Sequence, residues 1–436
     1  MKAIVVGSGA SGATIARELS KNGLEVLILE AGGNFKPFTR RVSWSEPFRK
    51  LGILGSASNI NKIFPPMNSI KSSPDLALFR GITTGGCSVL TCGNLVRTEE
   101  GLHQIGLNLE SEFQELENLI NVTTFPKKRW RPLSREMFKS ASNLGLNPES
   151  TPKAVNAKKC ISCGLCELGC VEGARWDSRN FIDDSCASGA TIKINSPVKK
   201  VIIEQGIAKG VETSSIMGAN TYKSDLVVLA AGGIGTAQIL ENSGTLTSPH
   251  LWTDVVLTIG GVFKGAKMLK EPPMVWYSKQ KDYIISPYVD ILSHWFHKPW
   301  RKVSLNDRVG MMVKLADSAE GKVDYQGKVD KKLSHQDRDT LKKASSMARL
   351  IMKESGVKGP YVQGMYNGGH LGGTFPLETV DVKNMRSKRL PSGLWVGDLS
   401  LVPRSQGMPT MLLAAAIGLK VARKILESLP ETAIKK

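Results

Sequence analysis

The stretch KAIVVGSGASGATIARELSKNGLEVLILE, from Lys2 to Glu30, decides the fold. Its first residues, Lys2–Val6, are apolar enough to form a buried strand, and the residues from Ala13 to Asn22 repeat their apolar side chains at helical spacing. A second apolar run, Glu25–Leu29, predicts another strand. Strand, turn, helix and strand in this order predict the first unit of a doubly wound α/β fold.

The turn after the first strand carries the pattern G-x-G-x-x-G at Gly7, Gly9 and Gly12. The first glycine permits a tight turn, the second lets the main chain approach a pyrophosphate, and the third allows close packing of helix on strand. The helix N-terminus then presents unpaired N–H groups to the phosphates. Glu30 ends the second strand, where a carboxylate can accept hydrogen bonds from both ribose hydroxyls of an adenosine. These residues predict a bound dinucleotide.

Four cysteines in the segment KKCISCGLCELGCVEG have the spacing C-x2-C-x2-C-x3-C. They are Cys160, Cys163, Cys166 and Cys170. Such short spacers let four thiolates converge on one [4Fe–4S] cluster, as in ferredoxin-type loops. Val171 stands where those loops carry proline, and the sequence has no second run of this kind. The segment predicts an iron–sulfur cluster, although a [3Fe–4S] cluster or zinc also accepts closely spaced thiolates.

Four further blocks follow in a fixed order. They are RGITTGGCSVLTCGNLVR at 80–97, DLVVLAAGGIGTAQIL at 225–240, NGGHLGGT at 367–374 and LWVGDLSLVPRSQGMPTMLLAAAIGLKVARKI at 394–425. Together with the N-terminal fold, these blocks resemble motifs of the glucose–methanol–choline (GMC) family of FAD-dependent oxidoreductases. The four cysteines resemble those of a cysteine-rich, iron–sulfur-type branch of that family. Between about residues 245 and 360 the resemblance is weak.

The resemblance implies an α/β fold with a Rossmann-like FAD-binding domain and an interleaved, β-rich substrate domain. It implies a discontinuous FAD-binding domain at 1–35, 76–100, 190–244 and 366–436, a helical segment with the cysteine loop at 101–189, and a substrate or cap domain at 245–365. The region that selects the substrate is therefore the region with the weakest resemblance, so the alcohol itself is not specified.

The same resemblance implies the residues that contact FAD. Gly85, Gly86 and Ser88 match the family's first glycine-rich loop. Asp398 matches a residue near the ribityl and phosphate end of the flavin, and Val198 lies in the segment that the family places against adenine. With Gly7, Gly9, Gly12 and Glu30, these residues form the predicted cofactor site.

Oxidation of an alcohol at a flavin needs a base for the hydroxyl proton while hydride leaves the carbon. His370 stands in an H-x-x-G-T element where the resemblance places the active-site histidine, and histidine exchanges protons near neutral pH. The family's second polar residue is replaced by Met408, and methionine cannot accept a proton. The candidates for the missing hydrogen bond are Gln406, Thr410 and Asn367.

Three functions fit these residues. The favoured one is an FAD-dependent dehydrogenase that oxidises the CH–OH group of an alcohol and passes electrons through the cluster to an acidic carrier such as a ferredoxin. A ferredoxin-driven reductase of a carbonyl or alkene, for example of an isoprenoid or other lipid, uses the same groups in reverse. Because of Met408, a non-catalytic FAD and iron–sulfur electron-transfer subunit is the third.

The formal net charge of the 436-residue chain is +19, which is unusual for a dehydrogenase. Basic residues cluster around Trp130 and again from His294 to Lys302. Such a surface suits an acidic electron carrier, anionic headgroups or a phosphorylated substrate, or is simply basic throughout. Trp295 and Trp300 suggest a membrane interface or a substrate pocket. No nucleic-acid module is recognisable, so nucleic acid is disfavoured as a partner.

Seven cysteines in a chain of this length do not suggest a disulfide framework, and thiolates that bind a cluster imply a reducing compartment. No signal peptide precedes the first strand. The longest apolar run, Met411–Leu419, is too short to cross a bilayer and predicts a buried helix. The expected location is cytoplasmic, with peripheral membrane association as an option.

Overall fold

The computed structural model describes residues 1–39, 42–54, 56, 59–73, 76–215, 218–300 and 303–430. Arg301 and Lys302, at the end of the second basic cluster, lie outside the described residues. So do residues 431–436, at the end of the predicted FAD-binding domain.

The strands are β1 (Lys2–Val6), β2 (Glu25–Leu29), β3 (Met67–Lys71), β4 (Leu76–Gly81), β5 (Thr123–Thr124), β6 (Glu149–Ser150), β7 (Pro152–Lys153), β8 (Thr191–Lys193), β9 (Val198–Glu204), β10 (Ile207–Ser215), β11 (Gly218–Lys223), β12 (Leu226–Leu229), β13 (Val256–Val262), β14 (Trp276–Lys279), β15 (Tyr283–Pro287), β16 (Arg308–Leu315), β17 (Lys322–Val323), β18 (Val329–Asp330), β19 (Lys358–Gln363), β20 (Tyr366–Gly368) and β21 (Leu394–Val396).

The α-helices are α1 (Ala10–Lys21), α2 (Glu46–Leu51), α3 (Ile60–Ile63), α4 (Glu110–Ile120), α5 (Pro132–Asn143), α6 (Arg179–Ala187), α7 (Gly232–Asn242), α8 (Ile291–Phe296), α9 (His335–Glu354), α10 (Thr379–Val382) and α11 (Met411–Ser428).

A five-stranded parallel sheet, in the order β21-β12-β1-β2-β8, forms the first layer. Its central strand places Ile4 between Val227 of β12 and Leu27 of β2. Strands buried on both faces read as continuous apolar runs, which is why β1, β2 and β12 were recognisable in the sequence. The predicted α/β fold with a Rossmann-like sheet is confirmed.

Two helices that cover this sheet are packed closely against each other. Ser11 of α1 donates a hydrogen bond from Oγ to the carbonyl oxygen of Ala414 in α11 at 2.8 Å. At Gly418 an added Cβ would lie 2.7 Å from the carbonyl oxygen of Ser11, so this crossing admits no side chain. The apolar run from Met411 to Leu419 is buried here, as predicted. Among the described helices, none is both long and apolar enough to cross a membrane.

The second layer is a nine-stranded sheet along the path β3-β4-β20-β13-β16-β15-β14-β6, with β19 paired to β13. In its centre β13 and β16 are antiparallel, with Val256 opposite Lys314. Helix α9 packs on this sheet and begins with a capping box, in which Ser334 and Asp337 satisfy each other's main-chain N–H groups. The β9–β10 hairpin, which turns at Gln205–Gly206, forms a separate antiparallel sheet with β11. How the chain divides into domains stays a prediction.

Candidate active site

A cavity of about 550 Å³ lies between the two large sheets. The ends of β1, β2 and β12 contribute Val6, Leu29 and Ala230 to its wall. Met312 and Lys314 of β16 form part of the opposite wall. Ligands of open α/β folds bind at the carboxyl ends of parallel strands, and the position of this cavity agrees with that rule.

The glycine-rich turn forms one rim of the cavity. Gly7 has a φ of 102°, and an added Cβ at Gly12 would lie 2.1 Å from the carbonyl oxygen of Gly7. Neither position therefore tolerates a side chain. An added Cβ at Gly9, by contrast, would meet no protein atom within 4 Å, although Gly9 borders the cavity. The open space beside this main chain fits the pyrophosphate of a dinucleotide.

Glu30 lines the cavity but is hydrogen-bonded to the protein itself. Its carboxylate accepts hydrogen bonds from the main-chain N and Oγ of Ser8, at 3.1 and 2.5 Å, and from the main-chain N of Gly32, at 2.8 Å. Burial raises the pKa of this carboxyl group above its usual range. Its predicted contact with ribose stays a prediction.

The second glycine-rich loop lies against the first turn. At Gly86 an added Cβ would lie 3.0 Å from Cα of Gly9, which brings both loops to the same end of the cavity. Gly85 and Gly86 have φ values of 88° and 53°. Ser88 donates a hydrogen bond from Oγ to the Gly85 carbonyl at 2.7 Å and accepts one from the main-chain N of Ser178 at 3.0 Å. Gly86 and Ser88 line the cavity, whereas Gly12 and Gly85 shape the main chain behind it.

Asp398 and Val198 also border the cavity. The Asp398 carboxylate accepts hydrogen bonds from the main-chain N of Gly232 at 2.7 Å and from Thr236 Oγ1 at 2.6 Å. Burial raises the pKa of Asp398. The carboxylate thus fixes the beginning of α7 at the cavity, next to the predicted flavin position.

His370 reaches the cavity from the other side and is held by two side chains. Its Nδ1 lies 3.0 Å from Oδ2 of the fully buried Asp254 and 3.3 Å from Nζ of Lys314. Burial lowers the pKa of His370 below its usual value, and the nearby charge of Lys314 lowers it further. The neutral imidazole, which can accept a proton, is therefore favoured at neutral pH.

Asp254 is itself held rigidly. Its Oδ1 accepts hydrogen bonds from Ser405 Oγ at 2.6 Å and from the main-chain N atoms of Gln406 and Gly407, both at 2.8 Å. Sequence reasoning did not identify Asp254 or Lys314. Both lie in the region of weak resemblance, and no motif surrounds either of them.

Met408 does not face the cavity. It is 2% exposed and belongs to an apolar cluster. The cluster also contains Cys92, Val96, Met274, Ile284, Tyr288 and Met312. Met408 therefore packs in the core, whereas the family motif has a polar residue at the matching position.

Three residues were considered as substitutes for the missing polar group. One of them, Gln406, uses its side-chain amide in hydrogen bonds away from the cavity. Its Oε1 accepts a hydrogen bond from Thr98 Oγ1 at 3.0 Å, and its Nε2 donates to the carbonyl oxygen of Glu100 at 3.0 Å. Thr410 and Asn367 do line the cavity.

The cysteine loop lies next to the same cavity. Glu167, between the third and fourth cysteines, lines the cavity and accepts a hydrogen bond from the hydroxyl of Tyr288. Burial raises the pKa of Glu167 to about 8. Arg175, just after the loop, donates hydrogen bonds to the carbonyl oxygens of Ser88 and Val89, at 2.6 and 2.9 Å. These contacts attach the cysteine loop to the predicted flavin loop.

The chemistry of the loop suits thiolate ligation. Main-chain N–H groups of Ser162 and Ala174 point at the sulfur atoms of Cys160 and Cys170, at 3.4 and 3.3 Å. Such N–H···S contacts are common around protein-bound clusters. All seven cysteines are free thiols. Within the described residues, however, no three Cys, His, Asp or Glu side chains are arranged to hold a metal ion.

The aromatic residues that suggested a membrane interface are buried. Trp295 and Trp300 are 3% and 2% exposed, and Trp295 donates a hydrogen bond from Nε1 to Ser45 Oγ at 2.8 Å. They therefore pack inside the protein and form neither a membrane interface nor, in the described structure, the wall of the cavity.

The N-terminal part of the chain matches a known protein family. A family model described as GMC oxidoreductase matches residues 1–264, which is more than half of the chain. The chain belongs to the GMC oxidoreductase family. It therefore belongs to a family of FAD-dependent enzymes, and the cavity between its sheets fits that cofactor.

Several relatives of this GMC oxidoreductase are known by sequence. It is 26% identical to an uncharacterized protein of Methanocaldococcus jannaschii over 97% of this chain and 99% of that protein. It is 29% identical to an uncharacterized GMC-type oxidoreductase of Mycobacterium tuberculosis over 58% of this chain and 41% of the other. A long-chain-alcohol oxidase of Arabidopsis thaliana is 23% identical over 81% of this chain and 53% of the plant protein. The chain thus spans about half the length of that oxidase.

The fold of this GMC oxidoreductase is similar to that of pyridoxine 4-oxidase from Mesorbium loti. The TM-score is 0.72, the sequence identity is 14%, and the match covers 98% of this chain and 100% of the other. At this identity the similarity shows the fold alone. It confirms the interleaved α/β architecture that the motifs predicted.

Proposed function

We propose that this GMC oxidoreductase oxidises the CH–OH group of an alcohol, with His370 as the base. The observation that carries the proposal is the hydrogen bond of His370 Nδ1 to the buried carboxylate of Asp254 at the cavity. A carboxylate acceptor requires the proton on Nδ1, so that Nε2 of the neutral ring carries the lone pair, although the main chain of Met408 also contacts the ring and raises its pKa. The ring is thus held in the tautomer that a general base needs.

FAD, when bound, would accept hydride from the carbinol carbon. The residues that would hold it are those around the glycine-rich turn and the second glycine-rich loop, together with Asp398. His370 takes the hydroxyl proton, and Asp254 stabilises the positive charge that the ring then carries. Asp254 is buried, which strengthens its electrostatic interaction with the ring.

A long-chain primary alcohol is the first substrate class to examine. The surface that lines the cavity is mainly apolar, and one relative is named a long-chain-alcohol oxidase. Phe79, Leu292 and Met312 contribute apolar side chains to the wall. An aliphatic chain would gain about 0.8 kcal/mol for each methylene group buried there.

The four cysteines of the loop form the second part of the proposal. Cys160, Cys163, Cys166 and Cys170 would hold an iron–sulfur cluster, which transfers electrons one at a time. Support comes from the donor chemistry, the N–H···S contacts and the attachment of the loop to the flavin loop through Arg175. The external acceptor would be an acidic carrier such as a ferredoxin, because the chain has a net charge of +19.

A membrane surface would be the source of a lipid alcohol. Around α2, four large apolar side chains are exposed: Trp44, Phe48, Leu51 and Ile53. We call these four residues the apolar surface. Helix α2 packs on α8 through the contact of Glu46 with His294 at 2.8 Å. Leu292 of α8 lines the cavity, so α8 links the cavity wall to α2.

The experiment that tests the proposed function is anaerobic reduction of the FAD-loaded protein by hexadecan-1-ol. We expect the flavin absorbance to bleach in one exponential phase, with hexadecanal as the product. A protein that binds FAD, is bleached by dithionite and stays oxidised with primary alcohols of every chain length would contradict the proposal. In that case the dithionite-reduced protein should be mixed with carbonyl compounds, to test whether the enzyme works as a reductase.

A further inference from the structure

Lys314 is a buried lysine inside the candidate active site. It lies on β16, two residues from Met312, and both side chains line the cavity because alternate residues of a strand share one face. Opposite it on β13 stands Val256, which lines the cavity as well. Lys314 is 5% exposed. An ionisable amine is thus placed beside the apolar side chains of Met312 and Val256.

Burial of this amine in its charged form has a large free-energy cost from the loss of water, and no ion pair offsets that cost. In the described part of the chain, no carboxylate lies within 4.0 Å of Lys314 Nζ, and its polar neighbour is His370 Nδ1 at 3.3 Å. An unpaired buried ammonium group costs several kcal/mol, and an apolar residue would fill this position more cheaply. The cost points to a role at the site.

The tautomer of His370 leaves the Lys314 amine without an acceptor on the ring. Because Nδ1 carries the hydrogen that is donated to Asp254, it cannot also accept a hydrogen bond from Lys314. The three N–H groups of the ammonium form are therefore available to a ligand in the cavity. Of the other positions considered for a polar group, Met408 is packed away and Gln406 is bound elsewhere, whereas Thr410 and Asn367 line the cavity without a charge.

We propose that Lys314 is the second catalytic group of the site and donates a hydrogen bond from its ammonium to the substrate oxygen. This role rests on the proposed function. In the step, the O–H proton of the alcohol passes to His370, and the C–H hydrogen leaves as hydride to the flavin. The carbon–oxygen double bond forms, the alcohol loses two electrons and the flavin gains them. Lys314 keeps its protons and stabilises the negative charge that develops on the oxygen.

The titratable groups that face Lys314 bear on the expected pH dependence. They are Asp254 from the segment before β13, His370 from the loop after β20, Glu167 from the cysteine loop and Cys92 from the loop after β4. Burial lowers the pKa of Lys314 to about 8, against the opposing effect of Asp254. The ammonium form is therefore lost as the pH rises through about 8, and the rate of alcohol oxidation should fall with it.

The test compares Lys314→Met, Lys314→Arg and the surface control Lys343→Met on α9, with hexadecan-1-ol as the probe. The rate constant of anaerobic flavin reduction should fall about 100- to 1,000-fold in K314M, as for loss of one oxyanion donor. K314R should recover part of this rate, and K343M should equal the wild type. The decline of the rate above pH 8 should be absent from K314M. An unchanged rate and pH profile in K314M, with full flavin content, would overturn the proposal.

A second measurement needs no turnover. Ring-labelled histidine spectra, with the His370 signal assigned from the His370→Asn variant, should show a higher pKa of His370 in K314M, because a nearby positive charge has been removed. An unchanged pKa would mean that the amine does not lie beside the ring, and would overturn the proposal. A wild-type protein that no alcohol reduces would overturn the proposed function, and this role with it, whatever the histidine spectra show.

Discussion

Asp254 and His370 are 116 residues apart in the sequence, yet their side chains meet at 3.0 Å beside the cavity. Asp254 is fully buried and receives three further hydrogen bonds, so its position does not depend on a substrate. A rigid carboxylate behind a histidine sets both the orientation and the tautomer of the ring. The active site is thus largely formed before a ligand enters.

The first prediction concerns this carboxylate. In Asp254→Asn the amide still accepts the hydrogen bonds of Ser405 and the following main chain, but it no longer stabilises a charged His370. Flavin reduction by hexadecan-1-ol should therefore slow at least 100-fold, while FAD content stays at the wild-type value. Stopped-flow absorbance measures the rate. The surface variant Asp282→Asn is the control, and an equal loss in both variants would contradict a specific role for Asp254.

The second prediction concerns His370 and pH. Burial and the charge of Lys314 lower the pKa of His370, so the neutral base should persist below pH 6.5. The rate of flavin reduction should fall only as the pH drops through that lowered pKa, where the ring becomes protonated. In His370→Ala, reduction by alcohol should vanish while reduction by dithionite remains. If the wild-type rate already fell by half when the pH was lowered to 7.5, the pKa of His370 would be raised and not lowered, and this prediction would be wrong.

The third prediction distinguishes two glycines of the same turn. In Gly9→Val the side chain enters the open space beside the turn, so the apoprotein should fold normally and fail to bind FAD. In Gly12→Ala the new Cβ meets the carbonyl oxygen of Gly7, which should cost about 1–3 kcal/mol of stability. The midpoint of thermal unfolding of the apoprotein and the flavin content after reconstitution separate the two effects. Gly9→Val protein that retains FAD would show that the pyrophosphate lies elsewhere.

The fourth prediction concerns the cysteine loop. Anaerobically purified wild-type protein should contain about four iron and four sulfide per chain, and Cys163→Ser together with Cys166→Ser should remove them without loss of FAD. Cys186→Ser, an exposed cysteine of α6, is the control and should retain the iron. Zinc without iron in the wild type would make the loop a structural zinc site. Flavin reduction by alcohol should persist in the double variant, whereas transfer to a one-electron acceptor should slow.

The FAD half of the fold was predictable because its signals are local. The bounds of β1 and β2 match the sequence interpretation, since an apolar run, a glycine turn and an amphipathic helix are adjacent in the chain. His370 could be predicted from the short motif around it. Its partners could not, because the pairing of Val256 with Lys314 across β13 and β16 depends on sheet register. Register between distant strands leaves no pattern in a single sequence.

The net charge of the chain could be read from the sequence, but the exposure of its apolar side chains could not. Tryptophans such as Trp295 suggested a membrane interface, and the structure buries them under α2. One group of exposed apolar side chains lies instead on α2 and just after it, at Leu51 and Ile53. Whether an aromatic residue is exposed depends on what packs over it, and composition alone does not contain that information.

The fifth prediction follows from that exposure. Leu51 and Ile53 are 72% and 67% exposed. Contact of so much apolar side chain with water is unfavourable, and exposed apolar patches often mark sites that bind a protein or a membrane. Wild-type protein should sediment with vesicles that contain anionic phosphatidylglycerol, and the bound fraction should fall as salt is added, because basic residues contribute to binding. Leu51→Glu with Ile53→Glu should abolish sedimentation at low salt. Leu246→Glu, an equally exposed residue in another part of the chain, should bind like the wild type. Equal binding by the wild type, the double variant and Leu246→Glu would mean that charge alone binds the protein to the vesicles. The apolar surface would then have no part in recognising a membrane.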